Sequence, residues 1–197
     1  MSSRTQNNLR RSWIVIVGDN APAPEVANAN AITQHIMRKL NLTPFKAFPA
    51  NFPGLQYLVK NMNVVTVGGP YANKWTFLLN DYIEPKWDIT VNRDIKSGEA
   101  WKDYVASGGI VANGFLVDKV AIAMQSHRGI IGAGTQPVNR LRPLQVVNVS
   151  GVMFEDTCTM TKAFLEDAVP GYYNCDWPGP ADPTYAACPA NPTYTKI

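Results

Sequence analysis

A chain of 197 residues, 46% of them apolar, fits one domain with a decorated tail, or at most a domain and a half. A net charge of +3, with its basic residues split between Arg4, Arg10 and Arg11 and the dispersed Arg128, Arg140 and Arg142, excludes an argument for nucleic acid. No run approaches the ~20 apolar residues of a membrane span, and the charged fraction of 17% is low in the manner of secreted or assembled proteins.

Residues 1–12 are polar and basic and read as a flexible N-terminus. The apolar run behind them, Trp13 to Val17, is too short for a signal-peptide core and has the length of a buried strand. Gly18-Asp19-Asn20 breaks it with turn formers, and Pro22 and Pro24 stiffen the exit. From Glu25, Val26, Ala29, Ile32, Ile36 and Leu40 recur at helical spacing, with Arg38 and Lys39 where positive charge suits the helix dipole. Residues 41–63 read as a Pro-interrupted connector with a short helix from Leu55 to Met62. A second apolar run, Asn63 to Val67, ends at Gly68-Gly69-Pro70 and leads into a predicted helix from Ala72 to Glu84 that Pro85 stops.

Residues 87–91 alternate like a strand and pair in expectation with 110–115 as a hairpin, after a turn at Ser107-Gly108-Gly109. A further strand is expected over Lys119 to Gln125. Residues 126–144, with Gly129, Gly132, Gly134, Pro137 and Pro143, read as an irregular loop. Gln145 to Val149 is the next strand, closed by Ser150-Gly151. The helix after it sets Phe154, Cys158, Thr161, Leu165 and Ala168 on one side and ends at Pro170-Gly171. Strands spaced by helices predict an α/β domain over residues 13–170: a Rossmann-like or flavodoxin-like, doubly wound, mostly parallel sheet. Residues 171–197 are read as an irregular, extended Pro/Cys-rich C-terminal arm packed on the body or on a neighbouring subunit.

Three segments carry a resemblance. Val15 to Ala23 with the helix start at Val26–Ile32 resembles the opening of the α/β domain of archaeal surface-layer (S-layer) proteins. Val67-Gly68-Gly69-Pro70-Tyr71-Ala72-Asn73 is similar to that family's second strand–turn, and Val149-Ser150-Gly151 with Glu155-Asp156-Thr157 to its last unit. The order matches and brackets residues 13–168, whereas residues 86–144 and the tail match poorly. The resemblance implies a structural, non-catalytic protein at the cell surface or in a virion, with itself or other structural subunits as partners. No leader is visible, which leaves a cytoplasmic location open.

In a parallel sheet the ligand crevice lies beyond the carboxyl ends of the strands. Asp19, Asn20, Gly68, Gly69, Asn73, Glu155 and Asp156 are the residues expected there. The carboxylates could hold a hard cation such as calcium or act as an acid–base pair; the competing reading is that Asn73 and Asp156 cap helices. Gly68-Gly69 lacks both the G-x-G-x-x-G and the G-x-x-x-x-G-K-[ST] pattern, so nucleotide binding has little support. Isolated His35 and His127 argue against zinc, and a Ser150–His127–Asp triad would lack the G-x-S-x-G elbow. No cofactor is called for. Cys158 reads as a buried free thiol, while Cys175 and Cys188, flanking a Pro-rich loop, are expected to form a disulfide or remain two free thiols. The alternative to a structural role is a small-molecule- or metal-binding α/β protein, a hydrolase among the choices, using that crevice.

Overall fold

A computed structural model of the chain describes residues 12–41, 46–87, 89–91, 110–112, 127–137, 143–179 and 182–197. The strand expected over Lys119 to Gln125, the turn expected at 107–109 and residues 1–11 of the N-terminal segment lie outside the described residues. The chain runs β1 (Trp13–Val17), α1 (Ala23–Lys39), β2 (Phe48–Pro49), α2 (Leu55–Val59), β3 (Asn63–Val67) and α3 (Lys74–Leu79). A 3-10 turn at Asn80–Tyr82 leads to β4 (Ile83–Glu84), β5 (Ile89–Val91), β6 (Ile110–Ala112), β7 (His127–Gln136) and β8 (Leu144–Gly151). Helix α4 (Phe154–Leu165) and strands β9 (Gly171–Asp176) and β10 (Thr193–Lys196) complete it.

The principal sheet has eight strands in the order β10-β9-β7-β8-β3-β1-β2, with β4 also paired to β7. The mostly parallel expectation is corrected to a mixed sheet. Pairings among β2, β1, β3 and β8 are parallel, but β7, β9, β10 and β4 join antiparallel. The three apolar runs at 13–17, 63–67 and 144–151 are adjacent, with Val15 opposite Val65 and Val65 opposite Val147. Their alternation divides the core. Val15, Val17, Val65, Val67 and Val149 pack with Ala29, Ile32, Met160 and Ala163 of α1 and α4. Ile14, Ile16, Val64 and Val146 pack with Leu55, Val59 and Leu79 of α2 and α3. Helices therefore cover both faces of the parallel half, which is why its strands are apolar on both sides. The hairpin of β5 and β6 stands as its own two-stranded sheet.

Two element readings are also corrected. The loop expected over 126–144 contains β7, a ten-residue strand pairing with β8 along eight residues. Its glycines admit neighbours that a side chain would exclude: a Cβ at Gly134 would lie 1.9 Å from the Tyr82 carbonyl oxygen, and one at Gly129 2.3 Å from Met160 Cγ. The tail is not irregular throughout, because β9 is an inner strand of the sheet and β10 its antiparallel edge partner. Prolines do not prevent this, since they fall at Pro170 and from Pro178 to Pro192, outside both strands.

The disulfide joins Cys158 to Cys188, and Cys175 is the free, buried thiol. The expected Cys175–Cys188 bridge fails because β9 turns Cys175 inward against Gly129 on β7, where burial pushes the thiol pKa up. Cys188 instead reaches the face of α4 that carries Cys158. Closing a loop of this separation, 30 residues, contributes about 3–4 kcal/mol in the chain-entropy model. Cys188→Ser should lower stability by that order. Non-reduced peptide mapping should recover a Cys158–Cys188 peptide, with Cys175 alkylated only after unfolding; a bridged Cys175 would contradict the assignment.

Candidate functional site

The carboxyl ends of β1, β3 and β8 share one edge of the sheet. Antiparallel pairing brings the start of β7 and the end of β9 there as well, since His127 pairs with Cys175 and Gly129 with Gly151. Every side chain expected from sequence in the crevice belongs to a turn on this edge, but the turns use them differently.

Asn73 is completely buried and is the N-cap of α3. Its Oδ1 accepts from the Trp75 amide at 3.0 Å, and its Nδ2 donates to the carbonyls of Ile16 and Val67 at 3.0 and 2.9 Å. One side chain thus satisfies a helix donor and two strand-end acceptors. Beside it, on the α2/α3 side, lies a closed polar network. Trp87 Nε1 donates to Ser150 Oγ and Asn148 Oδ1, Ser150 Oγ donates to Asn148 Oδ1, and Asn148 Nδ2 donates to Thr66 and Thr76 Oγ1. Thr76 in turn donates to the Gly68 carbonyl at 2.7 Å, and Asn80 holds the Trp87 backbone from both sides. Ser150 is fixed as an internal donor. His127 has the parity of Gly129 and Ile131, which face α4 and α1, so the Ser150–His127 triad weighed from sequence is split by the sheet.

On the α1/α4 side the central group is Asp156, fully buried in the first turn of α4. Gly151 makes room for it, because a Cβ there would come 2.2 Å from Asp156 Cβ. Asp156 Oδ2 accepts from the Met153 amide at 3.1 Å, the N-terminal half of a capping box, and Oδ1 accepts from Trp177 Nε1 at 3.0 Å. Desolvation lifts its carboxyl to about 7 despite these donors and the Arg128 backbone N–H. His127 Nδ1 stands 3.3 Å from Asp156 Oδ1, close enough for an ion pair but not aligned for a hydrogen bond. Its ring packs on Trp177 at 3.9 Å between centroids, and burial lowers its pKa against the opposing pull of Glu155 and Asp176. A relay His needs its Nδ1–H held by the carboxylate, and that alignment is missing.

The C-terminal segment closes over this group. Trp177 supplies the donor to Asp156, the Asp182 amide donates to Glu155 Oε1 at 2.8 Å, Cys188 is bonded to Cys158, and Lys162 Nζ donates to the Pro192 carbonyl. We term Trp177–Gly179 and Asp182–Pro192 the clasp. Glu155 is 2% exposed and keeps a buried Oε2 without a hydrogen-bond partner.

Sequence reasoning passed over Glu25, which is 5% exposed at the third position of α1. Its Oε1 has no partner, and burial raises its pKa to about 7. Asp19, in the turn before it, also has a buried, unpartnered Oδ1, while Asn20 is exposed. Gly68 adopts a left-handed φ of 92° facing Glu25, and Gly69 lies against Trp87 and Gly151. The signal in the sequence was a Glu at the capping-box position of a helix whose N-cap, Pro22, has no N–H to give it. Among the described residues no three His, Cys, Asp or Glu side chains gather as a metal centre.

Two outcomes follow from this geometry. Asn73→Ala should cost about 3 kcal/mol or more, because a buried N-cap is lost and two buried carbonyls are left unpaired. Asn73→Asp, an equally good cap, should be no milder, since it replaces the donor with another acceptor; a near-neutral Asp variant in urea denaturation would refute the donor role. Glu25 loses its proton near 4.5 when unfolded and near 7 when folded, so the folded state binds the proton more tightly. The stability this gives is complete below pH 4.5 and is lost as pH rises to about 7, by roughly 3 kcal/mol. Glu25→Gln should remove that component, and the difference between the two denaturation-against-pH curves reads it out. Comparisons with protein-family models, with characterised proteins and with solved structures found no match for this chain.

Proposed function

We propose that this chain is a structural, non-catalytic assembly domain, similar in plan to the α/β domains of archaeal surface-layer proteins. The observation that carries the reading is the clasp: the edge where an open α/β enzyme keeps its reactive groups is overlaid at β8, β7 and β9 by the chain's own C-terminal segment. Beneath it Asp156 caps α4 and accepts from Trp177, Glu155 Oε1 accepts from the Asp182 amide, and His127 and Asp156 lack relay alignment. The order β2-β1-β3-β8, with helices on both faces, supports a doubly wound, flavodoxin-like half to which antiparallel strands are added. A disulfide between α4 and the clasp fits an oxidising compartment, in keeping with a cell-surface or virion assembly. No described helix is long and apolar enough to cross a membrane.

Partners in this reading are further copies of the chain or other structural subunits. Phe52, Tyr57, Leu78 and Tyr82 stand exposed on the α2/α3 layer and offer apolar contact area. Light scattering over a concentration series should show particles growing beyond the monomer, and Tyr57→Glu with Leu78→Glu should shift the midpoint to higher concentration. A chain that stays monomeric at all concentrations, and is stabilised by a nucleotide or metabolite in a thermal-shift screen, would favour the small-molecule reading instead.

A further inference from the structure

We infer that the cavity between the C-terminal ends of α1 and α4 binds a small, flat monocarboxylate, its apolar body inside and its carboxylate at Lys39 and His35. The cavity measures about 480 Å³ and lies toward the amino ends of β1 and β8, the opposite edge of the sheet from the clasp. It shares no residue with the carboxyl-edge crevice or with the exposed α2/α3 layer. Trp13 and Val147 form its floor, Ile36 and Leu40 one wall, and Phe164 and Ala168 the other.

Size and lining suit a small molecule. A space of this volume falls in the range of natural ligand pockets, which are apolar with a few convergent polar groups. Val147 belongs to an inner strand, where Val65 beside it and Val149 beyond it are fully buried. It nonetheless keeps accessible surface, and that surface lines the cavity. The Trp13 indole and the Phe164 ring offer flat apolar faces of the kind that stack on planar molecules. The His35 ring stands edge-on to Phe164 at 6.0 Å between centroids, which sets the imidazole among the lining groups.

The polar groups of the cavity select the head group. Lys39 Nζ and His35 Nε2, one turn apart on α1, both donate to Asp167 Oδ1, His35 at 3.2 Å. Asp167 has a left-handed φ of 63° just after the C-cap of α4, a place where glycine or asparagine is usual. Its side chain is 61% exposed, so two nitrogen donors meet on a solvent-facing carboxylate that a ligand carboxylate would share or replace. Lys39 has three N–H bonds and can serve both anions. The carbonyls that would draw a cation to these helix ends are largely engaged. Those of Ala163 and Phe164 accept from the Ala168 and Asp167 amides, and those of Ile36 and Arg38 from the Leu40 and Asn41 amides. Glu166, the other acid at this end of α4, accepts from Tyr194 Oη at 2.8 Å.

The test is isothermal titration of the full chain with cinnamate, and with cinnamyl alcohol and cinnamylamine as its neutral and cationic counterparts. Cinnamate should bind at a single saturable site, about tenfold more tightly than either counterpart, the difference that one charge-assisted hydrogen bond makes. Lys39→Met, which keeps the stem and removes the charge, should weaken cinnamate by about tenfold. Asp167→Asn, a residue suited to the left-handed position, should bind cinnamate at least as tightly as the unaltered chain. Ala168→Phe should fill the cavity and abolish binding, with thermal unfolding showing that the fold is kept. No saturable binding of cinnamate, or equal or tighter binding of either counterpart, would overturn the site. Affinity undiminished in both Lys39→Met and Ala168→Phe would do so as well.

Discussion

The Asn73 carboxamide is the joint on which the carboxyl edge is built. Near the ends of β1 and β3, the carbonyls of Ile16 and Val67 accept from the buried Asn73 side chain. One Nδ2 group serves both, tying two neighbouring strand ends together, while its oxygen accepts from the Trp75 amide in the first turn of α3. That fixes the 68–72 turn, and with it Gly68 opposite Glu25 and the Gly68 carbonyl within reach of Thr76 and Asn148. The polar network on one side of the sheet and the carboxylates on the other are both referenced to this amide. Since each network atom depends on its neighbours, the edge tolerates loss of a member poorly.

What was legible in the sequence follows from how local the governing physics is. Trp13–Val17, Asn63–Val67 and Gln145–Val149 are largely apolar in a sheet whose faces are both covered by helices, and a run of this kind reads as a strand without tertiary knowledge. Asn73 as a cap was readable for the same reason. Strand β7 was not, because Gly129, Gly132 and Gly134 are there for the 82–85 segment and Met160, neighbours remote in sequence. The disulfide was misread through proximity along the chain: Cys175 and Cys188 are 13 apart, yet strand alternation turns Cys175 into the core and leaves Cys158 facing the clasp. Glu25 was hidden by its helix, where an acidic residue in the first turn is ordinary and its lack of a donor shows only once its burial is known.

Acidic groups therefore divide into two kinds at this edge. Asp156 sits among N–H donors and serves structure even though burial holds its proton to about 7. Glu25 sits among backbone and glycine and has no such donors. The same residue class, at equivalent first-turn positions of α1 and α4, takes different roles because one helix begins after Met153, which has an N–H, and the other after Pro22, which has none.

The staple between α4 and the clasp also determines how the molecule would carry mechanical load. Tension on the chain beyond β10 would peel that edge strand from β9, breaking its hydrogen bonds in sequence. The slack then released ends at Cys188, where a covalent bond transfers the pull to Cys158 in the middle of a core helix. Strand β9, an inner strand joined on both sides, lies upstream of that anchor and is spared the force. Pulled from its C-terminal side, the chain would thus extend by a short length while its parallel core remained folded.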